Sequence, residues 1–319
     1  MRCLVTGADG FVGQWLIREL LDHGDDVTGV TRGDHTQLTT LSTDAATHVR
    51  WLSAELLDPE TLRAAVKEAK PQAVYHLAAQ ASVALSLKDP ASTVETNVVG
   101  TANVLEACRD EAPDALVIAV GSAEIYGSVD PKALPVREDA PIRPNNPYAG
   151  SKAAAEVLAL QYAQTGWLRV IATRSFNHTG PGQTTSYAAA AFAKQCADIS
   201  RGRQAPVLLH GNLSAQRDFL DVRDVVAAYR LLAERGASGT VYNVCSGRAV
   251  SMLEIVEDLT RLVDRPVELR QDPERMRPVD TQVIVGDPGL VQRATGWQVS
   301  IPLQRTLRDL YDYFLKEDG

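Results

Sequence analysis

Short β-branched apolar runs and longer runs with apolar positions three and four residues apart take turns along the first half of the chain. The runs "CLVTG", "DVTGVTR", "AVYHLAA", "ALVIAVGS" and "LRVIATRSFN" read as strands. Between them "VGQWLIRELLDHG", "PETLRAAVKEA", "STVETNVVGTANVLEACRDE" and "SKAAAEVLALQYAQTG" read as helices, the first closing on Gly24 and the last on Gly166. Such alternation means βαβ units, right-handed crossovers and a parallel sheet. The strands show little apolar–polar alternation, which fits a sheet covered on both faces. After Arg174, proline, glycine and polar residues interrupt the pattern ("NHTGPGQTTS", "RGRQAP", "GNLSAQRD"), so this part reads as site-forming loops and a smaller lobe. "DVRDVVAAYRLLAERG" and "GTVYNVCSG" read as one more helix and strand returning to the sheet, and "SMLEIVEDLTRLV" and "PLQRTLRDLYDYFLKE" as amphipathic helices. The expected architecture is α/β. A doubly wound parallel sheet takes residues 1–174 plus 217–245, and a smaller mixed α/β lobe takes 175–216 plus 246–319.

Composition narrows the classes of function. With 319 residues, 45% of them hydrophobic, the chain can bury a core without disulfide or metal staples. A net charge of −8 argues against nucleic acid or an anionic membrane surface as a partner. It leaves room for a local arginine cluster that binds a phosphorylated small molecule. Cys3, Cys108, Cys196 and Cys245 are scattered, with no CxxC and no metal-ligand spacing, so they read as reduced thiols in a cytoplasmic setting. The start "MRCLVTGADG" runs straight into a strand without a signal peptide, and no apolar run approaches the roughly 18 residues of a membrane helix.

Candidate chemistry begins at "VTGADGFVG". Gly7, Gly10 and Gly13 stand three apart at the first strand–helix junction, with Phe11 and Val12 between the last two. Glycines allow the tight turn and let the backbone approach a pyrophosphate at a helix N-terminus, where free N–H groups favour an anion. A tight turn with close helix–strand packing would use the same residues, but three glycines at this junction favour a Rossmann-type dinucleotide site. An acidic residue ending the second strand would grip the ribose 2′-hydroxyl of NAD(H). Thr31 and Arg32 stand there instead and suit a 2′-phosphate, which favours NADP(H). Asp34 close by keeps NAD(H) open.

In "NPYAGSKAAAE", Tyr148 and Lys152 lie one turn apart near a helix start. An isolated pair of this kind is ordinarily a surface contact. Ser122, just past a parallel strand in "AVGSAEIYG", adds a hydroxyl where open α/β sheets bind ligands and completes a Ser…Tyr-x-x-x-Lys set. With "TGADGFVG", "VYHLAAQ", "TNVVGTANVLEAC", "GSAEIYG", "PYAGSK", "FNHTGPGQ", "QRDFLDVRDVV", "VYNVCSG" and "RPVD", the chain resembles the extended short-chain dehydrogenase/reductase family over essentially its whole length. The resemblance is to the nucleotide-sugar-modifying branch. It implies that Tyr148 exchanges a proton with the reacting oxygen, that Ser122 holds that oxygen, and that Lys152 lowers the Tyr148 pKa and grips the nicotinamide ribose.

The same resemblance places Ala78 and Ala79 beside the cofactor and Glu55 with Leu56 near its adenine. It gives Asn177 to a substrate phosphate, with a loop-stabilising side chain as the lesser reading, and offers Arg217 and Arg277, near Arg275, as diphosphate clamps. His76 and His178 read as structural, and no metal ligand set is expected. Within the branch, "RSFNHTGPGQ", "FAKQCADI" and "GNLSAQRDFLDVRDVV" look most like GDP-4-keto-6-deoxy-D-mannose reductases, which form GDP-D-rhamnose. GDP-mannose 4,6-dehydratases are the alternative, followed by other sugar-nucleotide epimerases or dehydratases. Dehydratases use Thr, then Asp or Ser, then Glu, whereas this chain reads Ser122, Ala123, Glu124; Glu124 remains as a candidate base. A non-catalytic NADP(H)-binding regulator would be expected to have lost the acid–base set. The resemblance also implies a homodimer through helices around 93–108 and 148–164, although buried packing within one chain explains Ala153, Ala154, Ala155 and Ala159 equally.

Overall fold

The computed structural model describes residues 1–33, 38–275 and 282–316. The chain runs through β1 (Arg2–Thr6), α1 (Phe11–Asp22), β2 (Asp26–Thr31), α2 (Thr43–Thr47), β3 (Val49–Ser53), α3 (Pro59–Ala69) and β4 (Ala73–His76). Next come α4 (Val83–Lys88), α5 (Pro90–Val94), a π-helical turn (Glu95–Val99), α6 (Gly100–Glu111), β5 (Leu116–Ser122), α7 (Pro147–Gln164) and β6 (Arg169–Ser175). The second half holds β7 (Asn177–Thr179), α8 (Ala188–Ser200), β8 (Val207–His210), β9 (Gln216–Asp221), α9 (Val222–Arg235) and β10 (Val241–Val244). It ends with β11 (Ala249–Ser251), α10 (Met252–Thr260), β12 (Glu268–Gln271), β13 (Val283–Ile284), α11 (Gly289–Thr295) and α12 (Leu303–Lys316).

Local chemistry sets several of these bounds. Asp58 caps α3 by accepting from the Glu60 and Thr61 amides, Pro59 takes the first helical position, and Lys70 closes the helix at φ 45. Asn146 caps α7 through the Ala149 amide, with Pro147 at the first position, so Tyr148 is held in the opening turn. Ser251 and Glu254 form a reciprocal capping box at α10.

The expected doubly wound sheet is present: seven parallel strands in the order β10-β6-β5-β4-β1-β2-β3. The chain winds outward from β1 to β3 and restarts on the other side of β1 with β4. The crevice of such a sheet opens at the carboxyl ends of the strands on either side of that switch. One face packs α1 and α9 over Val5, Leu16, Tyr75 and Tyr229; the other packs α3, α6 and α7 over Leu4, Val74, Val117 and Val170. A third core joins α8, α10 and α12 through Phe192, Cys196, Ile255, Leu310 and Phe314. β9 pairs with β7, β11 and β13 in a small sheet, while α9, which follows it, covers the large one.

Several short elements were not read from the sequence, and three departures bear on the layout. Edge strand β3 was not expected, because Arg50 and Ser53 break its apolar run. α8 lies where loops were expected; its alanine-rich surface is buried against α10 and α12 and shows no strong polar stripe. The single helix expected over 92–111 is interrupted by the π turn.

Candidate active site

Gly7 turns the chain out of β1 at φ +67, and a methyl group there would lie 3.0 Å from the Ala78 nitrogen and Cα. A Cβ on Gly13 would fall 2.2 Å from the Gly7 carbonyl oxygen. Gly10 caps α1 without offering a side chain to the first amides of the helix. The three glycines therefore form a cradle that side chains would fill, with helix-terminal N–H groups left for an anion. A dinucleotide pyrophosphate fits this donor set. Phe11 and Val12 lie half-buried in the first turn of α1. Ala78 closes the other wall, donating its amide to Thr6 Oγ1 at 3.2 Å, with half-buried Ala79 next to it.

At the end of β2, Thr31 is buried and its hydroxyl donates to the Gly33 carbonyl at 2.6 Å, so it shapes the loop. Arg32 is exposed beside it, and Asp34 lies outside the described residues. Glu55 is exposed, and Leu56 packs on Gly100 while its carbonyl accepts from Asn103 at 2.8 Å. Sequence reasoning missed Gln14. Its buried amide donates to the Asp9 carbonyl at 2.7 Å and accepts from the Thr39, Thr40 and Leu41 amides, tying that loop to the glycine cradle.

Ser122 ends β5, buried, where its hydroxyl accepts from the Glu124 amide at 3.2 Å and caps the 3-10 turn Ala123–Tyr126. It also lies near enough to the Tyr148 hydroxyl to favour the phenolate form. Lys152, one turn along α7, donates from Nζ to the Val120 carbonyl at 2.8 Å. Ser122, Glu124, Tyr148 and Lys152 are thus gathered at the carboxyl end of β5. The net shift at Tyr148 runs opposite to the expected one. Burial pushes the Tyr148 phenol up, Ser122 draws it back, and Tyr187, Glu124 and Tyr229 add to the rise. Burial also lowers Lys152 to about 8, and its ammonium is committed to a carbonyl, not to the phenol.

Asn177 opens β7 and is exposed, while Arg217 lies in β9 and donates to the Gln216 carbonyl at 2.8 Å. Arg275 pairs with Asp272 at 3.2 Å, and Arg277 lies outside the described residues. His178 stacks on Phe11 and donates to the Phe176 carbonyl at 2.9 Å, with burial lowering its pKa. His76, lowered to about 3 by burial, is neutral between Thr6 and Thr101. A cavity of ≈ 390 Å³ lined by Phe219, Arg248, Glu254, Arg261 and Pro302 sits in the small lobe. None of Ser122, Tyr148 and Lys152 lines it. We place the site at the acid–base cluster, because concavity alone supplies no chemistry.

A doubly wound sheet, a glycine cradle at its first turn and a Ser…Tyr-x-x-x-Lys cluster at its rim define the extended short-chain dehydrogenase/reductase class. Within it, the family model for GDP-mannose 4,6 dehydratase matches residues 4–310, and the chain belongs to that family of nucleotide-sugar enzymes. It is 37% identical to the GDP-6-deoxy-D-mannose reductase of Pseudomonas aeruginosa, over 96% of this chain and 95% of that one. It superposes on the structure of RMD from Pseudomonas aeruginosa complexed with NADPH with a TM-score of 0.85 at 35% identity, covering 99% of this chain and 100% of the other. UDP-glucose 4-epimerase of Thermus thermophilus in complex with NAD gives 0.86 at 30% identity, with 99% of each chain covered.

Proposed function

We propose that this protein reduces the C4 keto group of GDP-4-keto-6-deoxy-D-mannose to give GDP-D-rhamnose, using NADP(H). The observation that carries the reading is the placing of the half-buried Tyr148 phenol beside the Ser122 hydroxyl, next to a turn whose first residue, Ala123, has no acid–base group. Likeness to the Pseudomonas reductase and to its NADPH complex supports the substrate and the cofactor.

The bound nicotinamide supplies the hydride. Ser122 holds the carbonyl oxygen, and Tyr148, kept in its phenol form by burial, gives its proton to that oxygen as the carbon is reduced. Lys152, charged at neutral pH, would hold the ribose hydroxyls and offset the phenolate that Tyr148 becomes, before solvent returns the proton. The cradle Gly7, Gly10, Phe11, Val12 and Gly13 would hold the pyrophosphate. Ala78, Ala79, Glu55 and Leu56 would border the nucleoside parts, and Arg32 with the Thr31 loop would meet the 2′-phosphate. Asn177, Arg217 and Arg277 would serve the substrate diphosphate. Residues 1–174 plus 217–245 would form the cofactor half and the remainder the sugar-nucleotide half.

Dehydration of GDP-mannose is the second reading, favoured by Glu124, whose charge stands close enough to act on Tyr148. NADPH oxidation with the keto sugar, run beside GDP-mannose without added reductant, separates the two. Absorbance loss with the keto sugar and unchanged GDP-mannose is the expected result; conversion of GDP-mannose to the keto sugar would replace the reductase reading. We also assign a homodimer through the helices around 93–108 and 148–164, with α4 beside them. Exposed apolar side chains there include Leu87 (58%) and Val157 (61%), with Leu85, Val94 and Val99. Sedimentation equilibrium tests this, and a monomer would refute it. The four cysteines are free and buried, which suits the cytoplasm, and among the described residues no helix is long and apolar enough to cross a membrane.

A further inference from the structure

Glu156 and Arg174 form an ion pair whose side chains are 3% and 5% exposed. Arg174 Nε and Nη2 donate to the two carboxylate oxygens at 2.9 and 2.7 Å, a bidentate fork. Its Nη1 donates to the Tyr126 hydroxyl and to the Glu138 carbonyl, both at 2.8 Å, and the guanidinium lies over the Tyr126 ring, 4.9 Å from the centre. Tyr126 donates onward to Asn243 Oδ1 at 2.7 Å, and Asn243 is itself fixed by the Val136 carbonyl and the Glu138 carboxylate.

A buried ion pair is weak evidence for stability, because desolvation offsets its Coulomb gain and apolar residues of similar size hold elements together as well. What it adds is direction, and its place in the fold gives that direction a use. Glu156 follows Tyr148 by eight residues and Lys152 by four, on one face of α7. Arg174 is the strand partner of Gly121, next to Ser122, and a Cβ on Gly121 would stand 3.8 Å from Glu156 Oε2. Tyr126 ends the turn that contains Glu124. One charged fork therefore spans the helix with the candidate proton donor, the strand end with Ser122, and the turn with Glu124.

We propose that Glu156, Arg174 and Tyr126 are positioning residues, which set the rotation of α7 and the pitch of the 123–126 turn so that Tyr148, Ser122 and Glu124 converge on one reacting oxygen. The proposal rests on the reading of Tyr148 as the proton donor. It predicts losses in kcat and not in ligand affinity, because both side chains of the fork are buried in the protein.

The test uses the full-length protein. Turnover of the keto sugar by the wild type, and its loss in Tyr148→Phe, first establish the donor reading; turnover retained in Tyr148→Phe overturns that reading and this one together. Tyr126→Phe keeps the ring under the guanidinium and removes one oxygen. It is expected to fold with a near-native Tm and to bind NADPH within about twofold of wild type, with kcat down roughly tenfold and its pH profile displaced. Arg174→Lys keeps the charge without the fork, and a drop of about a hundredfold in kcat is expected, with no rescue by charge alone. Wild-type kcat and pH profile in folded Tyr126→Phe, with Tyr148→Phe inactive, would sink the positioning role and leave the donor reading intact. If Arg174→Lys fails to fold, Tyr126→Phe decides alone.

Discussion

Lys152 makes two opposite pH dependences fall in one window. Burial lowers its ammonium from 10.5 to about 8. At about 1.4 kcal/mol per pKa unit, and allowing for the solvent contact the half-buried side chain keeps, the charged form costs the folded protein about 2–3 kcal/mol. Below about pH 8 both folded and unfolded chains carry the proton, and the fold bears that cost in full. Between about 8 and 10.5 the unfolded chain keeps a proton that the folded chain has released, so stability attributable to Lys152 rises with pH. Cofactor affinity moves the other way if the ammonium holds the ribose. The charged fraction falls from roughly nine-tenths at about pH 7 to one-tenth at about pH 9, a loss of about tenfold in affinity. The assay is NADPH titration by quenching of tryptophan fluorescence, with denaturant unfolding of the cofactor-free protein at the same two pH values, on wild type and Lys152→Met. Subtracting the variant matters for stability, because burial raises Cys3, Cys108 and Cys196 from 9.0 to about 12. Those thiols ionise first in the unfolded chain and oppose the gain above about pH 9. Affinity flat within about twofold across the window, or an equal slope in Lys152→Met, would refute the assignment of the ammonium to the cofactor.

Four further outcomes are expected. Arg32→Ala should weaken NADPH binding about tenfold or more while leaving NADH within about twofold, read by titration of both cofactors. Ala123→Asp should leave GDP-mannose untouched and lower stability by about 2–4 kcal/mol in denaturant unfolding. Position 123 packs with Tyr126, Val136, Phe176, Cys245 and Ile284, which offer a carboxylate no obvious welcome. Tyr75→Phe should be neutral or stabilising by about 1 kcal/mol in thermal unfolding, since the buried Tyr75 hydroxyl has no hydrogen-bond partner. Gly13→Ala forces a methyl group to within 2.2 Å of the Gly7 carbonyl and should cost about 1–3 kcal/mol together with measurable NADPH affinity.

Much of the fold was legible because its signals are local. The helix Pro59–Ala69 announces itself through a capping aspartate, a proline at the first position and an apolar stripe. β3 and α8 were not legible, for opposite reasons. β3 is an edge strand with β2 as its one sheet partner among the described residues, so it can expose Arg50 and lose its apolar run. α8 is wrapped by other helices, so its burial comes from tertiary packing that no polar face records. The π turn has the same kind of cause. Asn97 accepts from the Gln80 amide and donates to the Gln80 carbonyl and Ser151 Oγ, contacts 17 and 54 residues away that one sequence does not reveal.

The candidate site divides along the same line. Residue types and spacing were enough to single out Ser122, Tyr148 and Lys152 as one cluster, because a turn of helix and a strand end fix where such side chains can go. Spacing could not give the sign of the Tyr148 shift, which depends on how much of the fold encloses the phenol. In isolation the ammonium one turn away predicts a more acidic tyrosine. In the folded chain burial dominates and Lys152 bonds the Val120 carbonyl. Tyr148 is a phenol at neutral pH, the form that gives a proton to an oxygen being reduced, and the upward shift makes it a weaker acid than a free tyrosine until the charge developing on that oxygen draws the proton across. Glu156 carried a signal that could have been read: a third polar residue on the face of Tyr148 and Lys152, directed into the protein, needs a buried cation. Arg174, eighteen residues on, supplies it. The side chains that hold the acid–base set in place are therefore specified by the same helix face that presents it.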